Sequence, residues 1–331
     1  MNFLKSFKDR IFSIQEGEFE ALAMELFDFQ SQNNAVYSKY LQKLGVMPKT
    51  VSSCDEIPFL PIEFFKQHRV VSGEWQEQGI FMSSGTTGQI ASKNYIEDLE
   101  YYKKVSRSIF ESFYGPIDHY HILALLPSYL ERGNSSLVYM VDNFIDISLS
   151  AYSGFYLSNY KQLVDKLNEL AVNTKKVLLI GVTYALLDLV EGFQFDSGND
   201  NLIVMETGGM KGKRKEMIRM QLHKALSEGF RLDSIHSEYG MTELNSQAYA
   251  LAEGKFQTPP WMEIKIRDIN DPFQVLPVGH SGGINIIDLS NVSTCAFIET
   301  KDLGRLNADH TFEVLGRFDN AEMRGCNLLI N

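Results

Sequence analysis

Cysteine is scarce in this chain: Cys54, Cys295 and Cys326 are the only three in 331 residues, widely spaced and odd in number. That spacing excludes a disulfide framework and leaves at least one thiol free. Histidine is almost as sparse, with seven residues of which only His119 and His121 lie close together. Neither an HExxH pattern nor a Cys/His cluster with zinc spacing occurs, which argues against a transition metal held by protein ligands. Long apolar runs are missing as well. The most hydrophobic stretches, 122–127 and 177–180, are far shorter than the ~20 residues of a membrane-spanning helix. Lys5, Lys8, Asp9 and Arg10 interrupt the N-terminal apolar residues, so no signal-peptide core forms and the expected address is cytoplasmic. Positive charge is in deficit, 31 Lys and Arg against 42 Asp and Glu, a net charge of −11. A general nucleic-acid binder needs the opposite balance to displace phosphate counterions, so no nucleic-acid partner is expected. A local pocket for a small anion stays compatible with this charge.

What the chain does have is the composition of a folded protein, with 44% hydrophobic residues and a length that suits about two domains. Residues 16–45 space Phe19, Leu22, Leu26 and Phe27 at helical intervals, predicting an amphipathic helix ahead of Pro48. Apolar runs at 120–126, 176–180 and 201–205 each end in turn residues. Helical patterns follow two of them, at 184–191 and 213–228. Strands alternating with helices predict an α/β fold, a largely parallel sheet covered by helices. Beyond Thr258 the pattern changes to short strand candidates at 261–267, 283–288, 295–300 and 311–315, a smaller β-rich lobe. The expected organisation is a leading helical cap over 1–75, an α/β core over 76–257, and the β-rich lobe with a short tail over 258–331.

Ser83-Ser84-Gly85-Thr86-Thr87-Gly88 packs four hydroxyls and two glycines into six residues. Backbone N–H groups and hydroxyls in such a loop can wrap a polyphosphate. By itself the cluster reads equally as a surface turn, and it matches neither GxxxxGK[ST] nor GxGxxG. Four further segments follow in order: Glu206-Thr207-Gly208-Gly209-Met210-Lys211-Gly212, Glu238-Tyr239-Gly240-Met241-Thr242-Glu243, Thr300-Lys301-Asp302-Leu303-Gly304-Arg305 and Gly316-Arg317-Phe318-Asp319. The set resembles the adenylate-forming superfamily of acyl and aryl ligases, from about Phe81 to the C-terminus. Thr207-Gly208-Gly209 with the lysines after it, and the terminal Arg324-Gly325-Cys326, are most similar to the LuxE-type acyl-protein synthetases.

The resemblance implies an adenylate-forming N-terminal fold, ATP and Mg²⁺ as cofactors, and roles for particular residues. Ser83, Ser84, Gly85, Thr86, Thr87 and Gly88 would hold the β- and γ-phosphates. Gly208 and Gly209 would line the adenine edge, with Tyr239 on the adenine face. Thr242 would contact the α-phosphate and Glu243 would bind Mg²⁺, a hard cation suited to carboxylate oxygens. Asp302 would accept the ribose hydroxyls, and Arg317 would close that grip. Cys326 would be the thiol that receives the acyl group; the other reading of Cys326 is a small apolar residue under the last turn. Lys211, Lys213 and Arg214 are left outside the site, since a charge run opening a helix is usually a solvated face. Cys54 and Cys295 belong to no motif and read as structural.

Two departures from the family pattern stand out. The loop continues as Gln89-Ile90-Ala91-Ser92 before Lys93, where Pro-Lys is usual, and the chain ends 12 residues past Asp319, the position of the family hinge. The C-terminal domain with its catalytic lysine is therefore expected to be absent. The implied function is ATP-dependent activation of a carboxylic acid, foremost a long-chain fatty acid, to acyl-AMP, with transfer to a protein cysteine. An acyl-accepting reductase or carrier protein would be the partner. Adenylation of a small aryl or amino carboxylate for a separate carrier, and a non-catalytic nucleotide-binding relative, are the alternatives.

Overall fold

The computed structural model describes residues 3–83, 90–127, 134–157, 159–195, 201–208, 214 and 217–318. The chain divides into two compact units, one drawn from Met1–Trp75 and Pro260–Asn331, the other from Gln76–Pro259.

The first strand, β1 (Leu60–Pro61), belongs to the discontinuous unit. The continuous unit holds the strands β2 (Gly79–Met82), β3 (Lys93–Ile96), β4 (Tyr120–Leu125), β5 (Gly154–Tyr156), β6 (Lys176–Gly181), β7 (Leu202–Glu206), β8 (His236–Tyr239), β9 (Ala248–Ala250) and β10 (Phe256–Gln257). β5, β4, β6, β7 and β8 lie side by side and parallel, and β9 and β10 continue the sheet antiparallel. β4 is buried along its whole length and β6 along all but its first residue. A continuous apolar run is what a strand covered on both faces requires. Two of the helices of this unit, Leu99–Tyr114 and Ser136–Ser148, carry their own start signals. Asp98 Oδ1 accepts the Tyr101 N–H at 3.0 Å to open the helix Leu99–Tyr114, which stops at Gly115 with φ +80°. β2 and β3 form a separate hairpin with Phe81 opposite Asn94 and Met82 opposite Lys93.

The helix expected from Lys213 runs instead from Arg219 to Phe230, because Ile218 is extended at ψ 144°. Arg214 is spent on the helix Thr183–Gly192, where it pairs with Asp188 and with Glu191 at 2.6 Å.

In the discontinuous unit, β11 (Met262–Arg267), β12 (Ser281–Asp288), β13 (Phe297–Leu306) and β14 (Phe312–Arg317) pair antiparallel in order, and β1 joins β13 in parallel with Leu60 opposite Ile298. The single helix expected over 16–45 is two, Phe19–Asn33 and Ala35–Leu44. Asn34 makes the break. Its Oδ1 accepts the Tyr37 N–H at 3.0 Å as an N-cap, and its Nδ2 donates to Ser72 Oγ and to the Thr294 carbonyl. Phe27 and Tyr37 pack on Phe297 at ring separations of 5.8 and 6.1 Å. Gln30, fully buried, donates to the Asn291 carbonyl and accepts the Ala296 N–H, both at 2.9 Å. Cys54 and Cys295 are buried here, and burial pushes each thiol up to about 12, so both stay protonated at neutral pH.

Candidate active site

β7 and β8 are parallel neighbours, so the chain leaves both at the same edge of the sheet, into Thr207-Gly208 and Gly240-Met241. Ligands of parallel sheets gather at that edge. Glu206, the last residue of β7, is only 1% exposed. Its Oε1 accepts the Ser237 hydroxyl at 2.6 Å, with His223 Nε2 and Arg219 Nη1 each 3.5 Å away. Its Oε2 accepts the Gly208 N–H at 2.7 Å and the Thr183 hydroxyl at 3.2 Å. Burial by itself pushes a carboxyl up; the hydrogen bonds from His223 and Ser237 and the Arg219 charge outweigh it and hold Glu206 down, to about 2. The ionised carboxylate thus clamps Gly208, whose φ of +73° is the left-handed region where glycine carries no penalty. Arg219 stacks over Phe256 at 4.8 Å, and Tyr239 meets the same ring edge-on at 5.8 Å.

At the end of β8, Thr242 and Glu243 follow Gly240 in a tight turn with the Leu244 N–H donating to the Met241 carbonyl at 3.1 Å. Asn94 of β3 donates through Nδ2 to the Thr242 carbonyl at 2.9 Å. The same hairpin carries Ser83, whose N–H donates to the Ser92 carbonyl at 3.0 Å and whose hydroxyl accepts the Ser92 N–H at 2.9 Å. The structure therefore brings Ser83, Gly208, Tyr239, Thr242 and Glu243 into one unit, with Asn94 tying the hairpin to the Thr242 turn. Glu243 is 4% exposed. Among the described residues no three His, Cys, Asp or Glu side chains gather to cage a metal. One buried carboxylate suits Mg²⁺ that arrives with phosphate oxygens, since that ion keeps waters and takes few protein ligands.

Asp302 and Arg317 belong to the discontinuous unit. They face each other across β13 and β14, with Arg317 Nε 3.7 Å from Asp302 Oδ1. The Asp302 N–H donates to the Thr300 hydroxyl at 3.0 Å, and that hydroxyl donates to the Ile284 carbonyl at 2.8 Å. Beneath them lies Arg267, 6% exposed, donating to the carbonyls of Ile284 and Thr300 at 3.0 and 2.8 Å and to Asn285 Oδ1 at 3.0 Å. Arg267 also stands 5.8 Å from the Phe318 ring. It braces β12 and β13, the second of which carries Asp302.

Ser84, Gly85, Thr86, Thr87, Gly88, Gly209 and Cys326, with Lys211, Lys213 and Asp319, lie outside the described residues. Glu206, Glu238 and Arg267 were not singled out as individual site residues from the sequence. For Glu206 a signal was present: a charged residue closes the apolar run 202–205 immediately before Thr207-Gly208.

Compared with known proteins, the chain matches the family model "Acyl-protein synthetase, LuxE" over residues 12–331. It is 25% identical over 321 residues to the long-chain-fatty-acid–luciferin-component ligase of Vibrio harveyi, covering 91% of this chain and 84% of that protein. Its fold is similar to that of ATP-bound MatB from Rhodopseudomonas palustris, with a TM-score of 0.52 at 17% identity over 72% of this chain and 47% of MatB. The chain thus spans about half the length of that solved structure. A 2-hydroxyisobutyryl-CoA ligase in complex with 2-HIB-AMP and CoA gives a TM-score of 0.66 at 12% identity over 91% of this chain and 67% of that one. Among the described residues no helix is long and apolar enough to cross a membrane. With a family match running from residue 12 to residue 331, the chain belongs to the LuxE family of acyl-protein synthetases and is a ligase of the acyl-adenylate-forming class.

Proposed function

We propose that the chain joins a carboxylic acid, foremost a long-chain fatty acid, to AMP at the expense of ATP and then passes the acyl group to a protein cysteine. The observation that carries this reading is the Thr242-Glu243 turn at the sheet edge, tied by Asn94 to the hairpin that presents Ser83. In the first step a carboxylate oxygen attacks the α-phosphorus and pyrophosphate leaves, so the residues must hold a triphosphate, a nucleoside and the acid in register. The Thr242 hydroxyl would bind the α-phosphate, Ser83 and the loop through Gly88 the outer phosphates, and Tyr239 and the Gly208-Gly209 turn the adenine. Asp302 would accept the ribose hydroxyls with Arg317 beside it. Mg²⁺, held by Glu243 and phosphate oxygens, would offset charge on the polyphosphate.

In the second step a thiolate, that of Cys326, attacks the acyl carbon. The C–S bond forms, the bond from the acyl carbon to the AMP oxygen breaks, AMP leaves and the thiol proton goes to solvent. The name of the Vibrio harveyi relative supports a long-chain acid, and the description of the family supports a protein acceptor. The receiving protein would be a reductase or an acyl carrier.

ATP–pyrophosphate exchange across a panel of carboxylic acids tests the first step, and Glu243→Gln is expected to lower it about 10²–10³-fold, the size typical of losing a preorganised charge contact. Mass spectrometry after incubation with ATP and fatty acid tests the second: the expected result is an acyl adduct on the wild type that is absent in Cys326→Ser. An adduct that survives Cys326→Ser overturns that assignment. Exchange driven only by small aryl or amino acids overturns the long-chain substrate.

A further inference from the structure

The helix Arg219–Phe230 opens on a cation. Its first turn holds no acidic residue, and Arg219 stands at the end where the helix dipole favours negative charge. Glu206 offsets this, with Oε1 3.5 Å from Arg219 Nη1. Side chains tilt toward the start of a helix, so the guanidinium reaches back to the end of β7 and, on the same approach, to the ring of Phe256 in β10, 4.8 Å away. The stem of Arg219 is fixed as well. A Cβ on Gly254, in the turn between β9 and β10, would come within 2.4 Å of Arg219 Cδ, so the stem lies against that turn. Gly254 holds φ +66°, and the Lys255 N–H closes the turn by donating to the Ala252 carbonyl at 3.2 Å.

Two lines of contact lead from Glu206 to the residues that the reading above gives to the adenine. The first is direct. Glu206 Oε2 accepts the Gly208 N–H at 2.7 Å, and the Thr207 N–H donates to the Gly181 carbonyl at 3.1 Å, so the turn after β7 is held from two sides. The second passes through Arg219 and Phe256 to Tyr239, whose ring meets Phe256 edge-on at 5.8 Å. Phe256 is fully buried and paired opposite Ala250 of β9, which fixes the ring between the guanidinium and the tyrosine. One side chain thus governs two elements, the turn that follows β7 and the last residue of β8. Both lines draw on its negative charge, since a charge-assisted hydrogen bond is the stronger kind and a neutral group would hold Arg219 far less.

We propose that Glu206 is a positioning residue for recognition of the nucleotide base, setting Gly208 directly and Tyr239 through Arg219 and Phe256. The inference rests on the acyl-activation reading above, which gives the adenine to Gly208 and Tyr239, and goes beyond it by assigning the base preference to the residues that hold those two. Binding groups must be kept within about 0.5 Å of the productive geometry by the contacts that support them, and here one carboxylate supports both.

The experiment is titration calorimetry of ATP and of GTP, each with Mg²⁺, into the full chain as wild type, Glu206→Gln, Arg219→Met and Tyr239→Leu. Wild type is expected to prefer ATP. Glu206→Gln and Arg219→Met are each expected to raise the Kd for ATP about tenfold, the size of one lost charged contact, and to change the Kd for GTP by less than about twofold. A residue needed for stability alone would reduce the number of sites filled and leave both constants as they are, because unfolded chain does not bind. If Tyr239→Leu weakens ATP binding while either Glu206→Gln or Arg219→Met leaves both constants unchanged, the positioning role is overturned and the adenine reading stands. If Tyr239→Leu changes neither constant, or wild type binds the two nucleotides equally, the adenine reading is overturned and the proposal with it.

Discussion

Glu206 and Glu238 sit at the ends of neighbouring strands, both buried, yet their carboxyl groups are driven in opposite directions. Glu206 has Ser237, Thr183, His223, Arg219 and the Gly208 N–H around it; Glu238 has no such partners, so burial prevails. The residue type is the same and the neighbours decide the charge. Replacing Glu206 with Gln takes a buried acceptor from the Ser237 and Thr183 hydroxyls and the Gly208 N–H and leaves the partly exposed Arg219 beside a neutral group, and is expected to cost about 1–3 kcal/mol, read from the urea midpoint. The sign with pH follows from a folded-state value held below the ordinary 4.5, at about 2. The advantage of wild type over Glu206→Gln is complete above about pH 4.5 and is expected to vanish as pH falls through about 2. Urea titrations of both proteins across that range measure it, and a constant difference would contradict the ionised clamp. Tyr239, Thr242 and Glu243 could be singled out in the sequence because their motif order carries a resemblance. Glu206 and Glu238 were not, since face and partners depend on strands that are distant in sequence.

Strands were legible to within a few residues wherever the apolar run was continuous, as at 120–125 and 176–181, because burial on both faces demands such a run. The break at Asn34 was not, because its amide gains its partners from Ser72 and Thr294, far along the chain. β12 presents a similar case. Its register shifts between Gly283 and Asn285, and a Cβ on Gly283 would overlap the Arg267 guanidinium. The guanidinium cannot retreat, being held by the Ile284 and Thr300 carbonyls. Gly283→Ala is expected to destabilise the protein by about 1–3 kcal/mol, the usual cost of overpacking, measured by denaturant unfolding. An unchanged midpoint would mean that Arg267 is free to move.

At the scale of the molecule, the discontinuous unit is closed by residues from both ends of the sequence. Leu60 and Pro61 pair in parallel with Ile298 and Glu299, and Phe27, Tyr37 and Phe59 surround Phe297 at ring separations of 5.8, 6.1 and 6.4 Å. Phe297, fully buried, is therefore one residue through which the N-terminal helices and the late strands share a core. Phe297→Ala is expected to cost about 3–5 kcal/mol in denaturant unfolding, since rings drawn from distant segments cannot all collapse into the gap. A loss under about 1 kcal/mol would show that the two segments are stable separately.

By itself the sequence determined the fold class, the acyl-activating family and the order in which the motif residues occur, because periodicity and short motifs are local properties that a linear reading contains. Only the tertiary structure decided which carboxyl group is ionised, which helix breaks, and which side chains gather around Glu206 at the edge of β7 and β8. Those outcomes depend on desolvation and on hydrogen-bond partners supplied from other segments, and neither exists until the chain has folded.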